Sequence, residues 1–227
     1  LLERHDPKPE IKLKKTFIAA FLALATVGSA QAAPAYTATG VQNNVSYAAV
    51  VNGGWSVAYR GDYRAGFDLA AIIDGIAAGR NVMLAAIHDG ALDFEVLSYA
   101  AKEDVFSVTA HDQTHVANGA EWYYNNSSIG FAGLGDLIIQ NSADINGSAW
   151  QGTPESDRLS WHTGALGSVF YGWRAGSFTE LNNSTEWDRL ILVQDASPAA
   201  DVPEPGSLAL LGLGLAGLAS LRRRKQA

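Results

Sequence analysis

The chain has 227 residues, is 48% hydrophobic, carries a formal net charge of −7 and contains no cysteine. The lack of cysteine excludes a disulfide-stapled scaffold and a thiol nucleophile. Acidity is concentrated between Tyr36 and Asp195, where 7 basic and 18 acidic residues leave a net charge of −11, which excludes nucleic acid as a partner of that region.

Residues 1–11 are polar, contain Pro7 and Pro9, and read as an upstream extension. From Lys12 the pattern becomes that of a secretory signal peptide. Lys12, Lys14 and Lys15 supply the charged start, and Phe17–Val27 is an 11-residue apolar stretch interrupted only by Thr26. Ala30-Gln31-Ala32 then places small side chains at the positions signal peptidase reads, so cleavage is expected before Ala33. Residues 1–32 are therefore assigned to extension plus signal peptide, with the Sec translocase and signal peptidase as implied partners. Residues 33–195 are assigned to one β-rich extracellular domain.

Within that domain, Val45–Arg60 is rich in Val, Tyr and Trp and is broken by Asn52-Gly53-Gly54, which predicts a hairpin. Leu69, Ile72, Ile73 and Ile76 recur at helical spacing behind a capping Asp68, which predicts a short helix over Phe67–Ala78 closed by Gly79. Val82–Ile87 is a continuous apolar strand turning at His88-Asp89-Gly90. Further strands are expected at Phe94–Tyr99, Val105–Thr109, Trp122–Tyr124, Leu137–Gln140, Leu159–His162, Val169–Trp173 and Leu190–Gln194. Turn clusters recur every 8–12 residues or so, the spacing of a sandwich. The expected fold is all-β, an antiparallel β-sandwich with one or two short helices; the alternative is an α+β domain with a single antiparallel sheet.

Residues 196–202 form a small-residue linker containing Pro198. Residues 203–227 combine three physical features. Pro203-Glu204-Pro205 cannot continue a helix or a ladder. Leu208–Leu221 is an apolar run of 14 residues, short for a spanning helix of about 20 but extended by the long stems of the cations that follow. Arg222, Arg223, Arg224 and Lys225 hold that end on the cytoplasmic side. A membrane helix is expected here, acting as a transient inner-membrane anchor. Gly212, Gly214 and Gly217 mimic a dinucleotide fingerprint but lack the strand before and the acidic residue after that such a site needs.

Candidate chemistry is sparse. His111 and His115 have helical metal-pair spacing without the Glu that should follow the first histidine, so a zinc protease is not expected. His88, Asp89, Asp93, Glu95 and His162 would make an acid–base site only if the fold brought them together. Ser160 stands outside a nucleophile elbow. Asp144-Ile145-Asn146-Gly147 is a fragment of a calcium loop, and calcium is the one candidate ion. The aromatics are more suggestive. Trp122 and Tyr123, beside Asn125 and Asn126, and Trp173 and Trp187, beside Asn182 and Asn183, have the composition of sugar-contacting surfaces, and these four are the candidate glycan contacts. No catalytic residue and no metal ligand is assigned.

The order Pro-Glu-Pro, apolar run, Arg-rich end over Val202–Lys225 resembles the PEP-CTERM sorting signal of Gram-negative bacteria. The resemblance implies an exported protein handled by an exosortase, with Pro203, Glu204 and Pro205 as recognition residues. It also implies a surface or extracellular-matrix destination associated with exopolysaccharide and biofilm. The domain itself resembles bodies that recur among PEP-CTERM proteins through Arg80–Ala86, Arg158–Thr163, Gly172–Gly176 and Trp187-Asp188-Arg189. Many of those bodies carry Cys where this chain has Ala175. That resemblance implies no catalytic residue. Together these readings make a non-enzymatic structural or glycan-associating domain the leading expectation. A secreted carbohydrate-active enzyme and a calcium-dependent adhesin are the alternatives.

Overall fold

The computed structural model describes residues 35–136 and 156–195. Its strands are β1 (Gln42–Ser46), β2 (Trp55–Asp62), β3 (Asn81–His88), β4 (Asp93–Ala101), β5 (His115–Ala117), β6 (Ala120–Tyr124), β7 (Ser128–Gly133), β8 (Leu159–Gly164), β9 (Ser168–Ala175) and β10 (Trp187–Gln194). They form two five-stranded antiparallel sheets, one ordered β1-β4-β3-β10-β2 and the other β5-β6-β7-β8-β9. The second sheet is a simple meander. The first is completed only by the last strand, β10, which enters between β3 and β2. Val82, Leu84 and Ala86 from β3 meet Trp122, Ile129, Phe131, Leu159 and Trp161 from the meander in one buried cluster, so the two sheets pack face to face as an all-β sandwich.

β3 is apolar throughout because both of its faces are covered. Met83, Ala85 and Ile87 belong to a second cluster with Trp55, Phe94, Leu97, Leu190 and Leu192 on the far side of the first sheet. The helix α1 (Tyr47–Asn52) closes that side, burying Val50, with Tyr47 and Val51 packed beside it. The expected hairpin over Val45–Arg60 is therefore absent: β1 and β2 lie at opposite edges of the sheet with α1 between them. The physical reason is burial. The outer face of β3 needs an apolar cover, and Tyr47, Val50 and Val51 supply one at helical spacing behind the N-cap Ser46.

The helix α2 (Leu69–Gly75) forms as expected, with the Asp68 carboxylate accepting from the Ala71 amide at 3.0 Å, but it is shorter than Phe67–Ala78. The strand expected at Val105–Thr109 is not formed. Lys102–Val105 is instead the one-turn helix α3, which buries Val105 in the core and leaves Val108 62% exposed. Acidic Glu103 and Asp104 suit the first turn of that helix. The strands β5 and β7 had no clear signature; β7 carries Gly130 and Gly133 in place of β-branched residues. The expected strand at Leu137–Gln140 lies outside the described residues.

Residues 62–67 strap the two sheets together. The Tyr63 amide donates to the Trp187 carbonyl at 2.8 Å in the first sheet, and the Gly172 amide of β9 donates to the Tyr63 carbonyl at 2.7 Å in the second. Phe67 and Val169 exchange two further bonds, of 2.8 and 2.9 Å. The Tyr63 ring is fully buried, and its hydroxyl donates to the Arg174 carbonyl at 3.1 Å. Beneath the strap lies Arg189 of β10, also fully buried. Its guanidinium carbon is 5.1 Å from the Phe67 ring centre, 5.8 Å from that of Tyr63 and 5.9 Å from that of Trp161. It donates to the carbonyls of Asp62 (2.9 Å) and Ala65. Burial lowers its pKa, while the charges around Tyr59, Tyr63 and Asp62 act the other way; a guanidinium titrates so high that it stays charged regardless.

Gly172 lets the Tyr63 ring lie directly on β9, because a Cβ there would fall inside the ring. Gly172→Ala is expected to cost about 3 kcal/mol and to lower Tm by about 10 °C. Thermal unfolding followed by near-ultraviolet circular dichroism measures this; an unchanged Tm would mean that the strap can shift without loss.

Candidate functional site

The second sheet carries an unusual edge. β9 pairs with β8 through two register shifts, one between Ser160 and Trp161 and one between His162 and Thr163. The extra residues on β9 are Trp173 and Phe170. In a regular strand Phe170 and Tyr171 would point to opposite faces. A bulge removes that alternation and re-aims the extra side chain. Tyr171 stands opposite His162 in the register. The Phe170 ring lies over Gly164, where a Cβ would run into it. The Trp173 ring meets His162 edge-on with centroids 6.0 Å apart. Meanwhile Trp161, Val169 and Ala175 point into the core. Phe170, Tyr171, Trp173 and His162 thus share the outer face. Phe170 is 51% and Tyr171 47% exposed, and Trp173 and His162 are half-buried.

The four rings themselves are uncharged at neutral pH, while the exposed Arg64 lies on the strap paired along β9 and the exposed Asp68 directly follows it. Burial lowers the pKa of His162 below its ordinary 6.5, so its imidazole is neutral at pH 7. Its Nε2 is buried and has no hydrogen-bond partner among the described residues. The β6–β7 turn reaches the same end of the sheet: the Thr163 amide donates to the Ser127 carbonyl at 3.0 Å, and the Thr163 hydroxyl donates to the Asn125 carbonyl. That turn is held by the Asn125 carboxamide oxygen, which accepts from the amides of Ser127 (2.9 Å) and Ser128 (3.1 Å). Asn126 is left exposed.

Of the four candidate glycan contacts, only Trp173 is partly exposed on this face. Trp122 is fully buried between the sheets, its indole N–H donating to the Ala117 carbonyl at 3.0 Å. Tyr123 is 1% exposed, with its hydroxyl donating to the Leu159 carbonyl at 3.3 Å. Trp187 is 6% exposed and packs against Phe178 and His88 at centroid distances of 4.8 and 5.2 Å. All three rings are buried, Trp122 and Trp187 in the main core and Tyr123 in a separate cluster with Ala132, so the expectation that they contact sugar is corrected. Phe170 and Tyr171 were not foreseen, since no sequence signal marks a bulge that pairing alone creates.

The acid–base candidates do not converge. His88, Asp89 and Asp93 belong to the β3–β4 tip of the first sheet, where His88 sits 3.9 Å from Glu186. Glu95 lies against Gly176, and burial raises its pKa. His162 is on the outer face of the other sheet. Ser160 is fully buried. His111 is exposed in a turn, whereas His115 sits on β5 opposite Trp122. Among the described residues, no three His, Asp or Glu side chains are grouped to hold a metal. The calcium-loop fragment Asp144–Gly147 lies outside the described residues. So do the signal-peptide residues Ala30, Ala32 and Ala33, the triplet Pro203, Glu204 and Pro205, and the cations Arg222, Arg223, Arg224 and Lys225. No helix among the described residues is long and apolar enough to cross a membrane. An open groove of about 640 Å³ runs between β2 and α2, lined by small side chains such as Ala58, Ala71 and Ala77 with Arg80 and Asp195; it offers no stacking ring.

Residues 201–225 match the PEP-CTERM protein-sorting motif. The motif marks the chain for export and exosortase-dependent sorting to the cell surface. No curated protein and no solved structure matches the chain.

His162 also gives the fold a pH dependence. Its folded pKa lies below 6.5, so the unfolded chain binds the proton first as pH falls. Its contribution is fully present above about 6.5 and is lost as pH drops through the depressed folded value. His162→Gln is expected to flatten the slope of Tm against pH in that window. An unaltered slope would place the titration elsewhere.

Proposed function

We propose that this chain is an exosortase-sorted surface or extracellular-matrix protein whose sandwich domain holds polysaccharide without catalysis. The observation that carries this reading is the set of three aromatic rings, Phe170, Tyr171 and Trp173, which two bulges turn to one outer face. Sugar rings present C–H faces that pack on aromatic rings and hydroxyls that need small neutral hydrogen-bonding groups, and this face offers both. Rings held on a paired strand are also pre-organised, so little entropy is lost on binding. The separation of His88, Asp89, Asp93, Glu95 and His162 favours holding over hydrolysis. In this reading the signal peptide delivers the chain to the Sec translocase, and the apolar run Leu208–Leu221 anchors it transiently in the inner membrane. The linker 196–202 keeps the domain clear of the bilayer while the exosortase acts.

Two measurements test the reading. Replacing Pro203, Glu204 and Pro205 by Ala is expected to hold the chain in the inner membrane; undiminished release to the surface would overturn the sorting route. Affinity electrophoresis of the processed protein through gels containing the host's exopolysaccharide is expected to show retardation. In Phe170→Ala/Tyr171→Ala the affinity should fall at least about tenfold, the loss of roughly 1.4 kcal/mol. Because both residues are exposed, the fold should persist in that variant, and retardation of equal strength would overturn the assignment of the face.

A further inference from the structure

We infer that β2 is a self-association edge, through which two copies of this chain pair antiparallel and join their first sheets into one. An edge strand presents unpaired amides and carbonyls to any other strand unless it is short, irregular or covered. Three of the four edges in this sandwich are blunted. β5 is three residues long, and β1 is five and is interrupted by Asn44 at a φ of 53°. β9 is covered, its outward amides donating to Phe67, Tyr63 and Phe178. That leaves β2, eight residues long at the end of the first sheet, with β10 as its one strand partner among the described residues. It contains no Pro and no Lys, and Ser56, Val57, Ala58 and Arg60 are exposed. Its one irregularity, the extra residue Ala58, leaves Trp55–Val57 and Tyr59–Asp62 in regular pairing on either side.

Charge and shape favour a second copy as the occupant. Copies that each carry −11 between Tyr36 and Asp195 repel, so they meet most readily where acid is absent. Residues 36–59 contain no Asp, Glu, Lys or Arg, and they include the first five residues of β2. The charges that border the strand are already balanced. Arg60 pairs with Asp188 at 2.6 Å, and the Asp62 carboxylate accepts from the Ala65 amide at 2.6 Å. Arg80 and Asp195, opposite in sign, both line the groove at the end where β2 begins. Identical strands that pair about a two-fold axis set inner residues opposite inner residues, so the burial pattern of both sheets is kept. The groove beside β2 gives the second strand room, because Ala58, Ala71, Gly75 and Ala77 line it with small side chains. This seam belongs to the first sheet, whereas Phe170 and Tyr171 belong to the second, so a dimer still presents two aromatic faces.

Sedimentation velocity of the full processed protein, from about 1 to about 100 µM, tests this. A shift from monomer to dimer with rising concentration is expected. Val57→Lys puts a cation on the open edge and should keep the protein monomeric throughout. Its near-ultraviolet circular dichroism should match the parent's, because Val57 is 38% exposed. Ala58→Pro removes a strand donor at a bulge, where Pro is tolerated, and should weaken the dimer at least about tenfold. Val116→Lys, which adds the same charge to the short edge strand β5, should leave the dimer as it was. A monomer at every concentration, or a dimer that persists in both β2 variants, would overturn the inference. So would loss of the dimer in Val116→Lys.

Discussion

The contact between Arg189 and the strap above it is the constraint on which the sandwich depends. A strap that crosses from one sheet to the other brings backbone carbonyls into the interior, and buried carbonyls need donors. Arg189 supplies them to Asp62 and Ala65 from inside the core. The faces of Phe67, Tyr63 and Trp161 in turn surround its charge, so part of the desolvation cost is offset by the rings. Two of those rings come from the strap and one from the opposite sheet, so a single cation ties three elements. A Cys-free exported chain has no disulfide with which to fasten such a crossing. Arg158 and Arg174 are also buried. Arg158, Arg174 and Arg189 are thus interior groups.

The same strap makes the aromatic face usable. β9 is an edge strand, and an edge with exposed aromatic rings invites pairing with other chains. Here its outward amides are already taken: Val169 donates to Phe67, Gly172 to Tyr63 and Ala175 to Phe178. The strand therefore presents rings but no open ladder. Its inward residues are locked in the core, which holds Phe170, Tyr171 and Trp173 on a rigid support.

The chain divides its labour between signals that act by linear pattern and a domain that acts by shape. The sorting motif occupies residues 201–225. The domain, in contrast, is not complete until its final strand is in place, since β10 is the partner of both β3 and β2 and carries Arg189. The residues that finish the fold thus directly precede those that direct the sorting.

What the sequence determined by itself is whatever depends on order and composition. The expected signal-peptide pattern, the Pro-Glu-Pro tail and the acidic, Cys-free stretch between them are linear properties. Strands β3, β4, β6, β8, β9 and β10 were legible because runs such as Val82–Ile87 and Leu190–Val193 are apolar or β-branched, and α2 was legible from its spacing and the Asp68 cap. Tertiary structure decided the rest. Whether Tyr47–Asn52 is strand or helix depends on whether β3 needs a cover on its outer face. Whether Trp122 meets sugar or core depends on which face β6 turns inward. Phe170 and Tyr171 look like alternating residues until β8 is beside them, because a bulge is a mismatch between two strands and exists in neither alone. The class of the fold could be read along the chain, but its exposed aromatic face arises only from the pairing.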